Sequence, residues 1–468
     1  MKKITLLLLL AALCHSADVA AQKTTKLQKG KLYEETISKK EQHTYTYALT
    51  ENQYLFGLVQ QKGIDLAVET FGPDGIKIKK FDSPNGNNGP EYFTIENEQA
   101  GTYRIEVKPL NEEGNTVEKG QYTLEVLKVA PRATTKAGKV AQLFAAYDQP
   151  NSPGASVAVV QNGEIVYKAG FGSANLEYDI PNIPSTVFHI ASISKQFTTF
   201  AIAQLVDKGQ INLDDDIRKY LPEVPDFGKT ITIRHLAHHT SGMRDQWNLL
   251  ALGGWRLDDV ITTEHVLKLV AKQKVLNYQP GEEYLYCNTG FTLMGEIVAR
   301  VTEQSFADYC AKNIFEPLEM SNTLFYDDHE KIVKNRAYSY GPGKDGFTKR
   351  VLSYANAGAT SLFTTVEDLS KWALNFENTK VGNDHIMQMM HTKGILNDGE
   401  EITYALGQNI SQYKGLNRVS HGGADAGYRT YLARFPDQKI SVIVFSNLGS
   451  FNAGGMASQI ADIYLEEA

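Results

Sequence analysis

The spacing of apolar and polar positions changes once along the chain, and that change divides it. Between residues 31 and 127 the alternation has a period of two. Ile64, Leu66 and Val68 fall on one strand face, Tyr103, Ile105 and Val107 on a second, Tyr122, Leu124 and Val126 on a third. Gly72-Pro73-Asp74-Gly75 and Pro84-Asn85-Gly86-Asn87 read as turns between them. About eight short strands without a helical stretch predict an all-β sandwich over 22–130. Pro131-Arg132-Ala133-Thr134-Thr135-Lys136 carries no apolar period, so 131–137 is expected to be a linker.

Beyond it, over 138–468, the two periods mix. A helix is expected near 140–147, then a strand over 155–161, an Asn162-Gly163 hairpin turn, and a strand over 165–170. Helical spacing dominates from 194 to about 390. Phe197, Ala201, Ile202, Leu205 and Val206 make one helix face, and Lys208-Gly209 supplies its C-terminal stop. Strands return at 428–435 and 440–446 around Pro436-Asp437-Gln438, and a helix follows over 453–466. Strands at both ends with helices between them predict an α+β unit, one antiparallel sheet flanked by helices.

Length agrees with two domains, since 468 residues exceed what one core organises. The N-terminus changes the picture more. Met1-Lys2-Lys3, an apolar run from Ile4 to Leu13, and Val19-Ala20-Ala21 before Gln22 read as a secretory signal over 1–21. The apolar run is too short to span a bilayer, so no transmembrane segment is expected in the mature chain. The expected location is therefore outside the cytoplasm, periplasmic or secreted. Cleavage removes Lys2, Lys3 and Asp18, taking the formal charge from −7 to −8. A mildly acidic exported protein is a poor nucleic-acid binder. Cys287 and Cys310 remain after cleavage; their spacing demands neither a disulfide nor zinc.

The chemistry begins at Ser192-Ile193-Ser194-Lys195, where the helix that carries Phe197 to Val206 should start. Ser192 and Lys195 are one helical turn apart, so the amine can approach the hydroxyl. A serine needs a base to take its proton, and a lysine kept partly neutral can be that base. Free N–H groups at the helix start suit a developing oxyanion. Ser-x-x-Lys is unspecific alone: it recurs at Ser411-Gln412-Tyr413-Lys414. Tyr286-Cys287-Asn288 precedes an amphipathic stretch over 291–301, and Tyr-x-Asn also recurs, at Tyr354-Ala355-Asn356. His421-Gly422-Gly423 is the one His-x-Gly in the chain, placed just before the paired C-terminal strands, where glycines let a ligand approach the backbone. The neighbours His238-His239 point apart on helix or strand, which argues against a metal pair.

In chain order, Ser-x-x-Lys, Tyr-x-Asn and His-Gly-Gly resemble the three active-site elements of the serine β-lactamase and penicillin-binding-protein superfamily. Tyr286 in the second element is similar to the class C branch, which includes D-alanyl-D-alanine carboxypeptidases, D-aminopeptidases and esterases. Leu236-Ala237-His238-His239-Thr240-Ser241-Gly242 and Ile314-Phe315-Glu316-Pro317-Leu318-Glu319-Met320 agree with it. The resemblance spans 138–468. Phe71-Gly72-Pro73-Asp74-Gly75 and Ala100-Gly101-Thr102-Tyr103 resemble the prepeptidase C-terminal type of sandwich found on secreted hydrolases.

The resemblance implies that Ser192 is acylated and that Lys195 and Tyr286 share acid–base duty. It implies that Asn288, His421, Gly422 and Gly423 contact substrate, and that the N–H groups of Ser192 and Ala424 form the oxyanion hole. No cofactor or metal is implied. The expected partner is a small-molecule or peptide substrate of cell-wall type, cleaved at an amide or an ester, and weak β-lactamase activity is compatible with the same site. The alternative is a catalytically silent scaffold that keeps the fold. His421 stands where many β-lactamases carry lysine. A histidine titrating near neutrality would attract a substrate carboxylate only at lower pH.

Overall fold

The computed structural model describes residues 24–83, 85–110, 117–343 and 346–466. The expected signal over 1–21 and Pro84 lie outside them. The chain divides into two compact units between Arg132 and Ala133. The expected linker is shorter than the sequence suggests. Pro131 still belongs to the strand Lys119–Pro131, and Lys136 already opens a helix whose first turn Thr135 caps by accepting from the Gly138 N–H. A polar stretch without period can finish a strand and cap a helix, because both jobs are done by backbone.

The first unit is built from two sheets. One runs in the order Thr24–Lys26, His43–Leu49, Gly101–Pro109, Leu66–Phe71, Lys77–Phe81; the other Tyr33–Ser38, Lys119–Pro131, Gln53–Lys62, Asn88–Glu96. The period-two residues all point inward: Ile64, Leu66, Val68, Tyr103, Ile105, Val107, Tyr122, Leu124 and Val126 share one buried cluster.

The second unit is centred on a six-stranded sheet. Its strands are β1 (Ala155–Gln161), β2 (Glu164–Phe171), β3 (Asn409–Tyr413), β4 (Leu416–Asp425), β5 (Tyr428–Phe435) and β6 (Ile440–Ser446), ordered β2-β1-β6-β5-β4-β3. Every pairing is antiparallel. Asn162 and Gly163 both take positive φ at the β1–β2 hairpin, as a tight turn requires. On one face pack helices α1 (Lys136–Leu143) and, at the end of the chain, Ala453–Leu465, burying Val140, Val157, Val444 and Ile460 together. On the other face Ala158, Leu432, Ile443 and Phe445 join the cluster of helix α2 (Ser194–Asp207).

Helix α2 departs from the one-faced helix the sequence predicts: every residue from Ser194 to Leu205 is buried. A helix buried all round must pair its polar side chains internally. Thr198 Oγ1 donates to Gly358 O at 2.7 Å, and Gln196 Oε1 accepts from Trp372 Nε1 at 2.9 Å. Trp372 packs between Phe197 and Phe200, with ring centroids at 4.3 and 5.1 Å. Burying each such aromatic contributes roughly 1.5–3 kcal/mol, enough to fix the helix and the turn that precedes it.

Candidate active site

Ser192 sits on a single 3₁₀ turn, Ala191–Ile193, between the short strand Phe188–His189 and α2. Ala191 just before it has φ +47°, a left-handed conformation that costs a residue with a Cβ. Neighbours hold that turn. The Ala191 N–H meets His189 Nδ1 at 3.2 Å, Ser194 Oγ donates to Ala191 O at 2.5 Å, and Thr430 Oγ1 on β5 donates to Ile190 O at 2.9 Å. Gly423 is required here: a Cβ on it would lie 2.3 Å from Ile190 O. The missing side chain at Gly423 thus admits the nucleophile's own backbone, where the sequence suggested a ligand. The His-Gly-Gly element, just before the two C-terminal strands as expected, also lies on a strand of its own, β4, which pairs with β5.

Lys195 is fully buried on the first turn of α2. Its Nζ lies 3.1 Å from Ser192 Oγ, 2.8 Å from Asn288 Oδ1 and 2.7 Å from Ala359 O. It also rests over the Tyr286 ring at 4.9 Å from the centroid. Desolvation pushes its pKa well below the usual lysine range, although Asp425 and Asp245 pull the other way. A lysine that gives up its proton readily and touches the serine hydroxyl is a competent general base.

Asn288 is the first residue of helix α3 (Asn288–Thr302), three residues earlier than the apolar spacing suggests. Asp245 aligns it. One carboxylate oxygen accepts from the Asn288 N–H at 2.6 Å and from Nδ2 at 2.8 Å, while the other caps the helix Gln246–Leu252 through the Trp247 N–H. The amide orientation is thereby fixed, with Oδ1 toward Lys195. Sequence reading missed Asp245, though an aspartate before a helical run is a capping signal.

Tyr286 is half-buried as a residue, yet its hydroxyl is sealed from solvent and closes no hydrogen bond of good geometry. Desolvation raises its pKa far above the usual tyrosine value, and Ser192 nearby eases it partly back. The hydroxyl therefore faces Ser192 without bonding to it. Its ring packs, tilted by 32°, against His239 at 4.2 Å between centroids. His239 accepts the Cys287 N–H on Nδ1 at 2.9 Å, and this seats the second element. His238 turns away and meets Tyr404 O at 3.3 Å, so the two histidines diverge.

His421 corrects an expectation. Gly422 O can only accept, so Nδ1 at 2.7 Å carries the proton; Nε2 then accepts from the Tyr404 hydroxyl at 3.0 Å. Burial, and the Lys195 ammonium, push its pKa down to about 4. Both ring nitrogens are engaged and the ring is neutral near pH 7. It offers no pH-tuned positive charge to a substrate carboxylate.

A cavity of about 600 Å³ opens over these groups, lined by Ser192, Tyr286, Asn288, Ala424, Trp247 and Asp425, with His421, Gly422, Gly423 and Arg429 among its other walls. Asp425, at the end of β4, is a second residue sequence reading missed. Thr360 Oγ1 donates to its Oδ2. Burial raises its pKa above the usual aspartate value. Cys287 and Cys310 are both buried free thiols. Tyr354 packs on Trp247 at 4.7 Å between centroids, while Tyr286 alone of the two Tyr-x-Asn tyrosines lines the cavity.

Comparison with known proteins gives relatives of this chain in sequence and in fold. A D-aminopeptidase from Gluconobacter oxydans is 28% identical over 295 residues, 63% of this chain and 56% of that protein. The chain thus spans little more than half the length of the curated relatives it matches, 58% for the Brucella ovis D-aminopeptidase. The octameric penicillin-binding protein homologue from Pyrococcus abyssi superposes with a TM-score of 0.63 at 28% identity, over 71% of this chain and 78% of that one. The D-amino acid amidase from Ochrobactrum anthropi shares the fold, with a TM-score of 0.57 at 20% identity over 67% of this chain and 93% of that one. The beta-lactamase family model matches residues 140–464, and the chain belongs to that family of serine hydrolases.

Proposed function

We propose that this protein is an exported amidohydrolase that cleaves small D-aminoacyl amides and peptides through an acyl-Ser192 intermediate. Lys195 takes the Ser192 proton, and Tyr286 shares its transfer to the leaving amine. The Ser192 and Ala424 N–H groups receive the oxyanion, each donor contributing about 3 to 4 kcal/mol. Asn288 and β4 align the substrate. The observation that carries the mechanism is the buried Lys195 Nζ at 3.1 Å from Ser192 Oγ. The substrate class is supported by the neutral, fully engaged His421, which gives a substrate carboxylate no cation at the third element, and by the D-aminopeptidase relatives. Export rests on the N-terminal sequence pattern.

The test compares kcat/KM for D-alanine p-nitroanilide, nitrocefin and an N-acylated D-Ala-D-Ala peptide. The anilide should be the best substrate. A preference for either carboxylate-bearing compound would overturn the reading.

A further inference from the structure

Resting on the proposed aminoacyl specificity, we propose that Asp425 is the specificity-determining residue that receives the α-ammonium group of the substrate's acyl part.

Asp425 follows Ala424 directly on β4 and lines the same cavity as Ser192. His421, Gly423 and Asp425 share one strand face, which packs on the nucleophile turn through Gly423. His421 therefore marks the Tyr286 end of the site, where Tyr404 holds it. Asp425 marks the opposite end, where Thr360 holds it. Successive strand residues are about 3.3 Å apart. In an aminoacyl group the α-nitrogen is two bonds from the carbonyl carbon. A carbonyl docked on the Ala424 N–H, with its acyl group running toward Thr360, leaves the ammonium one residue spacing away, beside Asp425.

Charge makes the same assignment. The Asp425 side chain is 15% exposed, and that exposure is toward the cavity. A carboxylate so buried is costly without a cation. Lys195 and Arg429 ease its charge through space, but among the described residues no lysine or arginine closes an ion pair with it. The Thr360 hydroxyl is neutral. His189 lies 3.9 Å away, and burial pushes its pKa down to about 3, so it carries no charge. Arg429, on the cavity wall, turns Nη1 to Ala426 O at 3.2 Å and Tyr428 O at 2.7 Å and makes no ion pair with Asp425. The Lys195 amine bonds to Ser192, Asn288 and Ala359. Asp245 adds a second negative charge, committed to Asn288. A substrate ammonium in the cavity would supply the direct ion-pair partner that these side chains do not.

The experiment uses the full chain and two anilides differing only at the α-nitrogen: D-alanine p-nitroanilide and its N-acetyl derivative. Asp425→Asn should reduce the ratio of their kcat/KM values by roughly 10- to 100-fold, the worth of one charged hydrogen bond, expressed mainly in KM. Asp425→Glu should restore part of that ratio. Should Asp425→Asn fail to fold, Asp425→Ser gives the same reading. An unchanged ratio, or an equal loss on both substrates, would overturn the assignment and leave Asp425 as a support for the Thr360 turn. A wild-type enzyme with no preference for the free amine would instead overturn the functional reading on which the assignment rests.

Discussion

The chain contains Ser-x-x-Lys twice, and the two copies occupy opposite physical environments. Ser192 and Lys195 lie on a turn and the helix it starts, so their side chains converge, with 3.1 Å between Nζ and Oγ. Ser411 lies on strand β3, and Lys414 is the first of the two positive-φ residues, with Gly415, in the hairpin turn that follows. On a strand, residues three apart face opposite sides. Ser411 Oγ accepts from Arg418 at 3.3 Å, and Lys414 reaches Asp462 at 2.7 Å with 64% of its side chain exposed. Lys195, by contrast, is buried and its proton is loosened. The motif is a spelling; the helix start and the burial make it chemistry.

The strongest way to break this comparison is at the two serines. Ser192→Ala should abolish turnover and labelling by a fluorophosphonate, while Ser411→Ala should keep both. A peptide map placing the adduct on Ser411 or Ser194 would end the assignment. Ser194 is already excluded by geometry, since its hydroxyl is buried against Ala191 O.

The lysines come next. Lys195→Ala and Tyr286→Phe should each lower kcat by about 10²-fold or more, whereas Lys414→Ala should leave it unchanged. The pH profile separates base from bystander. The neutral amine is the active base, so kcat/KM rises with pH as Lys195 loses its proton. Because desolvation holds its pKa low, the rise should level off well below the usual lysine value of about 10.4. A profile still climbing through pH 10 would mean that Lys195 is an ordinary solvated amine, like Lys414.

The same contrast explains what the sequence could and could not disclose. Period-two alternation named nine residues of the sandwich interior, Ile64 to Val126, because alternate residues of a strand face opposite sides, and others such as Leu55 and Phe93 were left unnamed. The sheet of the second unit was readable at β1, β2, β5 and β6. The β3–β4 hairpin was not, since Ser411, Lys414 and Gly415 read as a polar turn and the glycines of β4 weaken a strand signal. Helix α2 looked amphipathic because Gln196, Thr198 and Thr199 are polar; only tertiary partners such as Gly358 and Trp372 let them be buried. Ser192, Lys195, Tyr286, Asn288 and His421 were all found by motif, and the structure brings them to one cavity wall or onto it. Asp245 and Asp425 were missed, since each is a single carboxylate with no local pattern. The state of His421 was missed too, because its pKa is set by Tyr404, Gly422 and Lys195, which no local window contains.

The smallest expected effect is on stability at the second copy. The Lys414–Asp462 contact joins two solvated side chains, 64% and 35% exposed, and such pairs are screened by water and salt and carry the entropy of holding both chains still. Lys414 also leans over the Tyr413 ring at 5.5 Å, a weak contact at an exposed site. Replacing it removes no buried group and opens no cavity. Its φ of +49° is the one local constraint, and glycine or asparagine meets it better than alanine does. Lys414→Asn should therefore move the melting temperature of the second unit by no more than about 2 °C, and raised salt should shrink even that difference. Thermal unfolding of the full chain in low and high salt measures it. A loss of many degrees would show that the exposed copy is structurally coupled to the core, and that exposure alone does not separate it from Ser192 and Lys195.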